Sequence, residues 1–439
     1  MAKDRPIESY IWQLTKAALS IIAVILYSRY LGAAGRGSMS IYLLYVQVFL
    51  MLNEMFVGSA LANWISLYGL RRFIPRIFVV TTIMLGLALG LGYAFDLVKS
   101  PNFEPSNNND RTSILLLLLF GIWAAILICQ NIASNFFQST GAIIEKNKWL
   151  VGFELLKVSG LLALIFGLAG SEINLERIML SLVITGAIWV LFCIYRLHML
   201  KAWSPLQTDN GNITIAHTWT EGVWAQLGQI VLFFIYRTPL FMASYLMGDA
   251  AAGILANALL VIDTIWIFSN TMGTIVHGRA LVNLNKVEQE DLCLRFSVFS
   301  FWGTLGLCLG VLIIPADVFT WIFGMEFYPM KNIVIQSIPG ILALAYFAPY
   351  GNLFHARNQF KRLLVHHLFG LLVMVILLTG IYFQIESVDF THLIWTWNIS
   401  LSSVLLMHIL RRNFLNLTSL KFKVNTLLLY RLVVKFLRY

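Results

Sequence analysis

Residues 10–67, YIWQLTKAALSIIAVILYSRYLGAAGRGSMSIYLLYVQVFLMLNEMFVGSALANWISL, read as two apolar helices joined by a glycine-rich turn. Span 1 covers roughly 10–30 and span 2 roughly 38–67. Each exceeds the ~20 residues that a helix needs to cross a hydrocarbon core of ~30 Å. Arg71, Arg72 and Arg76 follow span 2 at once. Lys and Arg gather on the cytoplasmic side of membrane helices, so the residue pattern predicts both a hairpin in the bilayer and its orientation.

The same plan continues to the end of the chain. Further apolar stretches lie at about 73–95, 112–139, 149–169, 178–195, 219–246, 251–276, 296–314, 333–354, 363–383 and 393–410. With the N-terminus inside, about 23 of the 31 Lys and Arg fall in cytoplasmic gaps, while the outer loops are enriched in acid. The prediction is an all-α integral membrane protein of about 12 transmembrane helices with both termini cytoplasmic. Composition agrees: hydrophobic residues make up 59% and charged residues 12%, half of the roughly 25% that a soluble surface needs.

Several functions are excluded on the same grounds. The net charge of +10 comes from residues flanking apolar spans, so no nucleic-acid partner is expected. Cys129, Cys193, Cys293 and Cys308 form no CxxC or zinc spacing and are expected to be free thiols. His366 and His367 have no acidic partner at metal spacing. GxSxG, HExxH and Walker patterns are absent, so no cofactor, metal or enzyme activity is expected, and any transport is not driven by ATP hydrolysis in this chain. The N-terminus lacks a cleavage site and reads as a cap on a retained first helix.

The chain reads as a duplication. Glu8 to Thr15 is similar to Glu221 to Gly228, and Tyr30-Leu31 followed by a small-residue turn and Gly37 parallels Tyr245-Leu246 followed by a similar turn and Gly253. The expected layout is a six-helix lobe at 1–201, a cytoplasmic linker at 202–217, a second six-helix lobe at 218–412 and a basic tail at 413–439. Six spans per half make the repeats parallel, with a cleft between them as the natural substrate site. In the tail, Arg431, Lys435 and Arg438 share one helical face, which fits either an interfacial helix on anionic lipids or a frayed basic end.

Polar residues within the spans supply the candidates. Gln47, Glu54 and Gly58 form a stripe in span 2; aligning Gly37 with Gly253 carries them onto Asp263, Asn270 and Thr274 in span 8. A carboxylate in mid-span costs about 2.5–3.5 kcal/mol, so Glu54 and Asp263 must face a cavity or a partner. The functional reading makes them ion-coupling residues for H+ or Na+; the structural one makes them interhelical hydrogen-bond partners. Arg237, about 12 Å deep in span 7, and Arg29, near the outer end of span 1, fit either a cationic cleft for phosphate or snorkelling. Asn131, Asn135 and Gln138 form a further stripe in span 4, as cleft wall or as interhelical glue. Glu154 and Lys157 are expected to pair with each other.

The turn Tyr30-Leu31-Gly32-Ala33-Ala34-Gly35-Arg36-Gly37 resembles the "LGPEGRG" turn of bacterial polysaccharide exporters and oligosaccharide-lipid flippases, with Ala33-Ala34 in place of Pro-Glu. Residues 245–280 are similar to the second-half counterpart of that turn. The resemblance covers essentially the whole chain and identifies the multidrug/oligosaccharidyl-lipid/polysaccharide (MOP) exporter superfamily. It implies a MATE-like, V-shaped pair of bundles working by alternating access as a monomer. It also implies movement of a polyprenyl-pyrophosphate-linked oligosaccharide from the inner to the outer leaflet of the cytoplasmic membrane, for cell-surface polysaccharide synthesis. Arg237, Arg29, Gln47, Asn131, Asn135, Gln138 and Asn270 are then the substrate-binding candidates. The alternatives are a cation-coupled multidrug antiporter of the same fold and, since no large outer loop is present, less readily a glycan polymerase or ligase.

Overall fold

The computed structural model describes residues 6–68, 82, 86, 109–139, 143–167, 173–199, 215–280, 285–384 and 388–415. Span 3, the polar loop before span 4, most of the linker and the basic tail lie outside them, as do the side chains of Asn135 and Gln138. The regular elements among the described residues are all helices. The α-helices are α1 (Pro6–Tyr68), α2 (Asn109–Ser139), α3 (Ile143–Gly167), α4 (Leu175–Met199), α5 (Ile215–Met247) and α6 (Asp249–Ala280), then α7 (Lys286–Ile313), α8 (Ala316–Phe323), α9 (Met330–Gln336), α10 (Ile338–Ala356), α11 (Phe360–Gln384) and α12 (Phe390–Leu415). Apart from span 3, every expected span has its helix. Among the described residues, eight helices are apolar and long enough to cross a membrane, or nine when α9 and α10, bent by 53°, count as one span.

α1 holds both of the first two spans. They are separated at Gly32, whose φ of 66° and ψ of −175° break the helix. A side chain is strongly disfavoured in that region, which is why glycine stands there. The inserted polarity of the Gly-Ala-Ala-Gly-Arg-Gly turn therefore becomes a sharp bend rather than a loop.

Buried side chains sort into two cores. One is built from α1 to α4, with Phe49, Trp123, Phe153, Met179 and Trp189 among its members. The other is built from α5 to α12 around Ile235, Leu255, Phe327, Trp397 and Leu401, and takes Ala33, Ile41 and Leu44 from α1. Large apolar side chains also stay on the outside: Phe166 is 77% exposed, Leu191 69% and Phe383 78%. That surface would aggregate in water and is at home in lipid. The first half meets the second chiefly through α1, which packs on α5 and α6.

Candidate functional site at the seam between the halves

At the end of the molecule that carries the Gly32 bend, the halves touch backbone to backbone. A Cβ on Gly37 would lie 1.7 Å from the carbonyl oxygen of Asp249, and one on Gly253 would lie 1.9 Å from that of Ala33. The contacts are reciprocal: Ala33 stands one helical turn before Gly37, as Asp249 stands before Gly253. The pseudo-twofold axis therefore passes between the two glycines that the repeat aligns.

Polar bonds surround this contact. Ser38 Oγ donates to Asp249 Oδ2 at 2.9 Å, and Ser244 Oγ donates to Oδ1 of the same carboxylate at 2.8 Å. The backbone N–H of Ala33 donates to Glu326 at 2.5 Å. Arg29 donates through Nε to the carbonyl of Ile322 at 3.0 Å, and through Nη2 to that of Trp321. Those carbonyls lie in the last turn of α8, the negative end of its dipole. In this state Arg29 ties α1 to α8 across the seam.

Beneath the glycines sits Arg36, which is 6% exposed. Its Nε donates to Asn257 Oδ1 at 3.0 Å, and Asn257 Nδ2 donates to Ser28 Oγ at 2.7 Å. Nη1 is buried and, among the described residues, has no hydrogen-bond partner. No carboxylate among the described residues pairs with this guanidinium. Its electrostatic neighbours are Tyr27 and the like-charged Arg237. A buried cation without a counter-charge is costly, so its presence calls for an anionic visitor or for a function that tolerates the cost. Sequence reasoning quoted Arg36 only as part of the turn. The available signal was an arginine held between two glycines where a helix end enters the bilayer.

Arg237 and Asp263, expected to serve separate roles, hold each other: Arg237 Nη2 is 3.1 Å from Asp263 Oδ2. The guanidinium also lies over the ring of Tyr236, 5.3 Å from its centroid. Both side chains remain partly exposed, 20% and 34%. Deeper along α1, Glu54 accepts from Asn131 Nδ2 at 2.7 Å and from Gln226 Nε2 at 3.4 Å. Gln226 also reaches the carbonyl of Met51 at 3.3 Å. Glu54 therefore sits where the first half meets α5, joined to an amide from each half. Between the two levels, Tyr45 meets Phe241 across the seam and Tyr42 stacks on Phe120.

Of the remaining candidates, Gln47 is exposed, and Asn270 is exposed and lines a cavity of about 360 Å³ whose walls all belong to the second half. The stripe Asp263, Asn270, Thr274 continues to His277 at that cavity, with Gln229, His355 and His367 facing it from α5, α10 and α11. Glu154 and Lys157 pair at 2.7 Å, as their spacing predicts. A second cavity, about 260 Å³ and lined almost wholly by apolar groups, lies between Ile21 of α1, Val261 of α6, Leu307 and Val311 of α7, and Phe323 of α8.

The architecture is that of known transporters. An inward-facing multidrug-resistance MATE transporter matches with a TM-score of 0.62 at 13% identity, covering 93% of this chain and 96% of its own. The lipid II flippase MurJ, inward closed, matches at 0.65 and 12% identity over 93% and 87%. A MOP transporter from Pyrococcus furiosus matches at 0.59 and 14% over 94% and 95%. This chain has the MOP-superfamily transporter fold. No family model and no curated protein matches its sequence. The structural neighbours are transporters and flippases rather than enzymes, and the chain is a multi-pass membrane protein.

Proposed function

We propose that the protein moves a lipid-linked oligosaccharide, carried on polyprenyl pyrophosphate, from the inner to the outer leaflet of the cytoplasmic membrane by alternating access. The observation that carries this reading is Arg36, a buried guanidinium at the seam with an amide partner and no carboxylate partner among the described residues. Moving a pyrophosphate through a bilayer requires cations in place of its water, and guanidinium forks match phosphate oxygens. The apolar crevice between α1 and α6 to α8 supports the same reading, because a lipid-linked headgroup must leave its tail in the bilayer while it enters.

The bend end would face outward and both termini inward, following the distribution of Lys and Arg. The state described is then closed to the outside by the Gly37–Gly253 contact. On the opposite side the Glu54–Gln226 bond is long, at 3.4 Å, and easily broken. Arg237 would swing from Asp263 to phosphate when substrate enters, freeing Asp263, while Glu54 would couple H+ or Na+ to the return. Asn131 and Gln47 would contact the headgroup as the seam opens. A second reading, export of a cationic drug, is favoured by Glu54, a partly buried carboxylate at the seam.

Purified protein in nanodiscs separates the two. Undecaprenyl pyrophosphate is expected to raise the melting temperature of the wild type but not of Arg36→Gln, and ethidium to leave both unchanged. Stabilisation by ethidium alone would reverse the reading in favour of the antiporter.

A further inference from the structure

We propose that the open cavity lined by α5, α6, α10 and α11 is a binding site for a neutral saccharide, distinct from the charged seam. At about 360 Å³ it lies within the range of roughly 300–1,000 Å³ typical of small-molecule sites. No Asp, Glu, Lys or Arg among the described residues lines it. An ionic ligand would find no counter-charge there, and burying an unpaired charge is expensive.

The polar groups that do line it offer both donors and acceptors. His367 Nδ1 lies 2.8 Å from the carbonyl of Gly228, and His277 Nδ1 lies 3.2 Å from that of Asn352. A carbonyl only accepts, so both Nδ1 atoms carry a proton, and each ring, when neutral, keeps its Nε2 lone pair as an acceptor. His355 Nε2 faces the Gln229 Nε2 amide at 3.1 Å. There the amide donates, which puts the proton of His355 on Nδ1 as a donor. Thr274 donates to the Asn270 carbonyl at 3.0 Å, leaving its lone pairs and the Asn270 amide for a ligand.

Hydroxyl groups, each a donor and an acceptor, match this alternation. Buried polar groups left without such partners are costly in an apolar bundle. Trp266 and Phe347 supply flat apolar faces for the C–H surface of a sugar ring. The indole Nε1 of Trp266 has no hydrogen-bond partner among the described residues.

The cavity also lies beside the charged seam. Trp266 stacks on Tyr236, centroids 5.5 Å apart at 24°, and Tyr236 carries the Arg237 guanidinium on its ring. A glycan attached to a pyrophosphate at Arg36 and Arg237 would extend toward Trp266. That continuity rests on the proposed flippase reading; the fit of a saccharide to the cavity does not.

The test is ligand-observed saturation-transfer NMR on the full chain in nanodiscs, with N-acetylglucosamine, galactose and rhamnose as probes and glucuronate and ethidium as charged controls. Saturable binding of at least one neutral sugar is expected. Asn270→Leu should weaken it by about ten-fold, the scale of one lost hydrogen bond, and Arg36→Gln should leave it unchanged. Retained stabilisation of Asn270→Leu by undecaprenyl pyrophosphate, or failing that an unchanged melting temperature, shows that the variant is folded; Thr274→Val, expected to weaken binding in the same direction, is the second variant. Absence of binding by all three sugars, binding untouched by both variants, or preferential binding of glucuronate or ethidium in a manner sensitive to Asn270→Leu would overturn the proposal. If sugars bind as expected while undecaprenyl pyrophosphate has no effect on any variant, the flippase reading fails and the saccharide site stands.

Discussion

Charged side chains in this protein are placed by partners rather than by depth. Within an apolar helix, Arg237 is held by Asp263, which reaches it from the next helix at 3.1 Å, and by the Tyr236 ring under its face. Removing one member of such a pair leaves the other poorly solvated, which costs more than removing both. Arg237→Ala is therefore expected to lower the free energy of unfolding in mixed micelles by about 1–3 kcal/mol. The double variant Arg237→Ala/Asp263→Ala should recover most of that loss without recovering transport. A loss in the double variant equal to the sum of the Arg237→Ala and Asp263→Ala losses would show that the pair has no coupling. Arg36 follows the opposite logic. It has an amide partner and no anion among the described residues, so its replacement should cost function more than stability.

At the scale of elements, the decisive contact is between the bend of α1 and the first turn of α6. Gly32 allows the bend through its positive φ, and Gly37 and Gly253 allow the backbones to meet. The backbones approach too closely to admit a Cβ, so a side chain at either glycine must act as a wedge. Gly37→Leu is expected to part the halves at this end. With the native cysteines replaced by serine, a cysteine at Ser28 should then react with a membrane-impermeant maleimide at least about ten-fold faster than in the Gly37 parent, a shift of roughly 1.4 kcal/mol in the opening equilibrium. Unchanged labelling would mean that this contact does not govern access.

Over the whole molecule, two separate hydrophobic cores share a seam that runs along one helix, α1. On the proposed reading each half moves as a body about α1, whose Ala33, Ile41 and Leu44 pack into the second core. Alternating access then needs only the seam to open and close at its two ends. A cross-link at the bend end should arrest it. Ser38 and Asp249 face each other at 2.9 Å, so the Ser38→Cys/Asp249→Cys pair is expected to oxidise readily and abolish transport. Reductant should restore it, as measured by flipping of a fluorescent polyprenyl-pyrophosphate lipid in proteoliposomes. Full activity of the oxidised pair would show that the halves do not separate there.

Apolar run length, the side taken by Lys and Arg, and the duplicated Gly37 and Gly253 were enough to set the span count, the orientation expected in the bilayer and the pairing of the halves. These are sums over local residues, because transfer from water to lipid is nearly additive along a helix. Glu154 with Lys157 was also legible, since their spacing puts them on one helical face. Packing alone decided the partners of the lone polar groups. Arg237 took Asp263, Arg29 took the end of α8, Glu54 took amides from both halves, and Asn270 turned to a cavity inside the second half. Each choice depends on how neighbouring helices rotate and approach, and hydropathy does not encode helix rotation.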